Sequence, residues 1–167
     1  MTQENQHPIW QLPLERGGLV LTPCPGTKGV DLDTSLAQLK AECVSTLVTA
    51  ISSQEMDNKG VSELGYKVQA LGMQWYHLVI EDDCAPDQDF SQRWESASTS
   101  LHQAIEQGQK VAMHCMGGSG RTGLLAAHFL LEKGWQLEEI ISKVQALRPG
   151  AFTKQVQVDY IKQVANA

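Results

Sequence analysis

A chain of 167 residues, 42% of them apolar, is long enough to build one domain around one core without disulfide staples. Its formal net charge of −6 argues against nucleic acid and against an anionic membrane surface as partners. The four cysteines (Cys24, Cys43, Cys84 and Cys115) lack metal-ligand spacing, the amino terminus has no secretory signal pattern, and no apolar run reaches membrane-spanning length, so a soluble, cytoplasmic protein is expected.

In chain order, residues 9–14 and 18–21 read as two short strands joined through Glu15-Arg16-Gly17, followed by the turn Pro23-Cys24-Pro25-Gly26. Asp31 and Asp33 offer caps for a short amphipathic helix over 35–42. The β-branched run 44–51 predicts a strand, 52–59 a polar loop, 61–71 a helix stopped by Gly72, and 73–80 the next strand. An acidic loop, Glu81-Asp82-Asp83-Cys84-Ala85-Pro86-Asp87, precedes a long helix over 88–107, with Asp87 as its cap. A buried strand starting at Lys110, a glycine-rich turn and an apolar helix running to Leu131 come next. Helices over 137–147 and 153–164 finish the chain. Strands alternating with helices imply a mostly parallel sheet covered on both faces, and no linker or repeat divides the chain, so one domain over 1–167 is expected.

The chemistry is concentrated in the turn Cys115-Met116-Gly117-Gly118-Ser119-Gly120-Arg121-Thr122. Successive backbone N–H groups of a tight loop, backed by a helix N-terminus, form an anion site. Gly117, Gly118 and Gly120 are expected to supply the positive φ angles that such a loop needs. A cysteine in that field is favoured as the thiolate, the nucleophilic form. Arg121 offers a planar fork for two phosphate oxygens, and the Thr122 hydroxyl can hydrogen-bond the sulfur. Residues 118–123 also fit the dinucleotide pattern G-x-G-x-x-G, but the chain beyond reads as helices where that fold needs strands, and a Walker loop is excluded because no Gly-Lys-Ser/Thr follows the glycines.

His114-Cys-x-x-Gly-x-Gly-Arg-Thr-Gly123 resembles the signature of the protein-tyrosine and dual-specificity phosphatase superfamily. The run from Leu19 to Lys28, the acidic loop and Arg148-Pro-Gly-Ala-Phe-Thr with Gln157 extend the resemblance over most of the chain, towards the kinase-associated phosphatase (cyclin-dependent kinase inhibitor 3) type. It implies a mixed sheet of about five strands ringed by about six helices, no metal and no organic cofactor. It also implies a protein phosphatase whose Cys115 is the nucleophile and whose loop residues Met116 to Thr122 bind phosphate. A loop aspartate would be the general acid: Asp82 or Asp83, with Asp82 favoured by the spacing to Pro86. The loop carries no lysine, which favours a phosphoprotein over a phosphoinositide substrate, and a monomer is expected.

Several residues have simpler readings. His114 adjoins Cys115 on a strand, so its side chain should face away and serve the core. Cys24 reads as a packing residue and Cys84 as an incidental thiol, although a sulfenic acid at Cys115 could be trapped by it. Two other functional classes share some of these features, a rhodanese-like sulfurtransferase and a silent phosphate-binding module.

Overall fold

The computed structural model describes residues 6–167. Strands β1 (Trp10–Pro13), β2 (Gly18–Thr22), β3 (Val44–Thr49), β4 (Gln74–His77) and β5 (Lys110–His114) form one sheet in the order β1-β2-β5-β3-β4. The β1–β2 pair is antiparallel and the other three pairs are parallel. Seven helices are found among the described residues: α1 (Leu32–Ala41), α2 (Ser53–Asn58), α3 (Leu64–Ala70), α4 (Gln88–Glu106), α5 (Gly120–Glu132), α6 (Leu137–Leu147) and α7 (Gln155–Ala165). The mixed α/β architecture matches expectation, with one helix more than the six anticipated.

Every residue of β2 and four of the five in β5 are buried, as parallel strands covered on both faces must be. Helices α1 and α3 pack towards β3 and β4, while α4 and α5 lie against the central strand β5. Helix α5 carries the unbroken buried run Arg121–Leu130, and α6 and α7 pack against it. No helix among the described residues is long and apolar enough to cross a membrane.

The extra helix, α2, falls on residues 52–59, where a loop was expected. Its start is a capping box: the Ser52 hydroxyl accepts from the Glu55 amide at 3.2 Å, and the Glu55 carboxylate accepts from the Ser52 amide at 3.1 Å. Met56 is the one buried residue of α2, so six residues leave no apolar period to read. The strand expected over 73–80 ends as a ladder at His77, and the extended chain beyond follows β3 through Leu78 N–H to Thr49 O and Ile80 N–H to Ala50 O, both 2.9 Å. Those two bonds deliver the acidic loop to the carboxyl end of the sheet, the end where β5 delivers Cys115.

Candidate active site

Cys115 follows the last residue of β5, and α5 begins five residues later. The loop between them curls back on the sulfur. Gly118 N–H donates to Cys115 Sγ at 3.3 Å and the Thr122 hydroxyl donates at 3.1 Å. Two donors thus converge on the sulfur of a residue that is 4% exposed.

Among the loop glycines only Gly118 has a positive φ, +80°. The expectation for Gly117 and Gly120 is therefore corrected: both sit in ordinary backbone conformations. At Gly118 a Cβ would also come within 2.8 Å of the backbone of Thr22 and Pro23, so strain and contact both exclude a side chain. The β2 end holds the loop in turn, through Cys24 N–H to Met116 O at 3.0 Å. Ser119 stands at the N-cap of α5 without a capping side-chain bond, and Gly120 opens the helix.

Arg121 is buried and reaches across the site to α2. Its Nη1 and Nη2 donate to Glu55 Oε1 and Oε2 at 2.8 and 2.9 Å, and Nη1 donates a second bond to Ile80 O at 3.1 Å. A guanidinium has five N–H groups. These contacts use three and leave Nε–H and one Nη2–H, the side fork that fits two oxygens of a phosphate. Burial works against the charge of Arg121, but the Glu55 hydrogen bonds, with the charges of Cys115, Glu55 and Asp82, hold its pKa above the ordinary value. Burial likewise opposes the charge of Glu55, and Arg121 with Ser52 overcomes it, keeping that carboxyl below its usual range. Sequence reasoning missed Glu55; the Ser52-x-x-Glu55 capping pattern was the available signal.

The acidic loop lies on the same rim. Asp82 Oδ1 is 3.7 Å from Arg121 Nη2, beside the free edge of the fork. Asp83 has a φ of +59° and pairs outward with Lys154 at 3.3 Å, while Asp87 caps α4 by accepting from Phe90 N–H at 2.9 Å. Gln157 of α7 is buried, its Nε2 reaching Cys84 O at 3.5 Å and its Oε1 lacking a partner. That free oxygen would stand 3.5 Å from a Cβ placed on Gly120, so it borders the loop.

His114 is structural, as expected. Its Nδ1 must donate to the Cys115 carbonyl at 2.9 Å, so Nε2 accepts from the Thr49 hydroxyl at 2.7 Å, and Trp75 Nε1–H donates to the same hydroxyl at 2.8 Å. Full burial pushes its pKa down to about 4 and keeps the ring neutral. Burial pushes the Cys24 thiol up to about 12, in keeping with a packing role. Cys84 is exposed. Among the described residues, no group of three or more His, Cys, Asp and Glu is placed to hold a metal ion.

A family model described as "Polymorphic toxin system, DSP-PTPase phosphatase" matches residues 26–135. The tyrosine-protein phosphatase CDC14 of Saccharomyces cerevisiae is 35% identical over 81 residues, covering 48% of this chain and 14% of the relative. The probable protein tyrosine phosphatase type IVA B of Dictyostelium discoideum is 31% identical over 96 residues, 55% of this chain and 56% of the relative. The aligned region thus spans only part of the relatives' length. The crystal structure of kinase associated phosphatase, with a serine for its catalytic-site cysteine, superposes with a TM-score of 0.86 at 23% identity, covering 98% of this chain and 97% of that one. PTPMT1 in complex with PI(5)P superposes at 0.71 with 17% identity, covering 89% of this chain and 90% of that one.

Proposed function

The chain belongs to the DSP-PTPase phosphatase family, and from that premise we propose that it hydrolyses phosphate monoesters on phosphoproteins through a cysteinyl-phosphate intermediate. The observation that carries this reading is the convergence of Gly118 N–H and the Thr122 hydroxyl on Cys115 Sγ, inside a loop closed by Arg121.

The substrate phosphate sits in the loop, its oxygens held by the amides of Met116 to Thr122 and by Nε–H and Nη2–H of Arg121. Cys115 Sγ attacks phosphorus in line while the ester oxygen departs. Charge moves onto phosphoryl and leaving oxygens that fixed donors already face, so little reorganisation is needed. Asp82, at the edge of the fork, protonates the leaving oxygen. Asp83 is turned to Lys154 and is the weaker candidate. Water then attacks the cysteinyl phosphate, with Asp82 as base and Gln157 Oε1 accepting a hydrogen bond from that water. The Thr122 hydroxyl stabilises the departing sulfur. The reading takes residues 1–167 as one catalytic domain acting as a monomer, in a reducing compartment such as the cytoplasm that keeps Cys115 free.

One protein of the same fold holds PI(5)P, so the fold does not choose between lipid and protein substrates. The lysine-free loop favours a phosphoprotein, phosphotyrosine first and phosphoserine or phosphothreonine as shallower alternatives. The test is hydrolysis of p-nitrophenyl phosphate and phosphopeptides in chelator-treated buffer, wild type beside Cys115→Ser. Turnover lost in the variant supports the reading. A folded, reduced wild type inert on all of them contradicts it.

A further inference from the structure

A glycine-rich anion loop has a weakness of its own. Peptide units flanked by glycine rotate at low cost, and a rotated unit would aim a carbonyl at the phosphate instead of an amide. Gly117 and Gly118 have no side chains to prevent this. Apart from the Gly118 N–H bond to Cys115 Sγ, restraint must come from outside the loop, and the structure contains it. Arg148 Nη2 donates to Gly117 O at 2.9 Å and Nε donates to Gly118 O at 3.1 Å. Both carbonyls are thereby tied to one guanidinium.

Arg148 is fixed by the chain and by one ring. It ends α6 with φ −130° and ψ 90°, the extended conformation imposed by Pro149, and its amide donates to Val144 O at 2.7 Å. Its guanidinium carbon stands 3.7 Å from the centroid of the Trp10 ring on β1. Among the described residues it makes no ion pair with a carboxylate, so its charge is not neutralised locally. Burial works against that charge, while the charge of Cys115 favours it.

We propose that Arg148 is a positioning residue that, by holding the Gly117 and Gly118 carbonyls, keeps the N–H groups of the same peptide units, those of Gly118 and Ser119, turned towards a bound oxyanion, and that Trp10, through its ring face, holds Arg148 in that position. The inference rests on the phosphate-site reading above. It gives β1, remote from the chemistry in sequence, a part in shaping the site.

The test is calorimetric binding of tungstate, a phosphate-shaped oxyanion, to the full chain and to Trp10→Ala, Trp10→Phe, Arg148→Lys and Arg148→Ala, with melting temperatures and p-nitrophenyl phosphate kinetics beside it. Losing two charge-assisted bonds should weaken tungstate binding about ten- to a hundredfold in Arg148→Ala. Arg148→Lys should lose much of this too, because an ammonium cannot span both carbonyls. Trp10→Ala should cost roughly three- to tenfold, and Trp10→Phe should recover most of it. Kinetic losses should track the binding losses. If the Trp10 and Arg148 variants melt lower but bind tungstate as the wild type does, both residues only pack, and the proposal is wrong. A wild type that binds tungstate without turnover sinks the phosphatase reading and leaves the loop comparison intact. A wild type that binds no tungstate overturns both.

Discussion

Glu55 grips Arg121 with both carboxylate oxygens, at 2.8 and 2.9 Å, across 66 residues of sequence. The pair decides which edge of the guanidinium is left free, the edge to which the proposed mechanism assigns the phosphate. Replacing Glu55 by Ala leaves a buried cation with the Ile80 carbonyl as its hydrogen-bond partner and Asp82 at 3.7 Å, so kcat/KM should fall about tenfold or more. Glu55→Gln keeps one acceptor and should fall less. Steady-state kinetics on p-nitrophenyl phosphate checks the order; equal activity in both variants and wild type would show that the pair does not shape the site.

The loop glycines should respond unequally. Gly118→Ala places a Cβ against the Thr22–Pro23 backbone at a φ of +80°, and should abolish activity and lower the melting temperature. Gly117→Ala meets nothing within 4 Å and should change stability by no more than about 0.5 kcal/mol. Thermal unfolding of the two variants separates them.

Much of this was legible in the chain. Cys115, Arg121 and Thr122 announce themselves because their spacing is rigidly tied to one loop geometry, and β5 and α5 because their apolar runs are long. Glu55 was not legible as a partner of Arg121, since a contact across 66 residues leaves no local pattern, and its short helix buries too little to show a period. The roles of Gly117 and Gly118 could not be told apart for a related reason: the contact that forbids a side chain at Gly118 comes from Thr22 and Pro23, far away in sequence. Asp82 and Asp83 are neighbours with the same chemistry, and only the turn at Asp83 sends one towards Arg121 and the other towards Lys154.

Those two aspartates should differ in their leaving-group dependence. Asp82→Asn should slow substrates with poor leaving groups most, and spare p-nitrophenyl phosphate by comparison, because a good leaving group needs less protonation. Asp83→Asn should be nearly flat across the series. A steep dependence in Asp83→Asn instead would reverse the assignment.

Acid should destabilise the fold through two buried imidazoles. Burial lowers His114 and His128 from 6.5 to about 4 each. Between those values the unfolded chain binds protons that the folded chain refuses, so stability is full above about pH 6.5 and is lost as pH falls towards 4. Each shift corresponds to roughly 3 kcal/mol at its limit. His128 touches Tyr160, Phe90 and Trp94 rather than the catalytic loop. His128→Phe should therefore flatten the fall in melting temperature between pH 6.5 and 4 while leaving turnover near that of the wild type.

The most direct measurement is to quench a reaction with a phosphorylated substrate in acid and map the trapped phosphoryl group by peptide mass spectrometry. The proposed mechanism requires the label on Cys115, and its absence from Cys115→Ser. An active wild type that carries the phosphoryl group on another residue, or that turns over many times with none detectable on Cys115 even when Asp82→Asn slows the second step, would contradict a cysteinyl-phosphate mechanism.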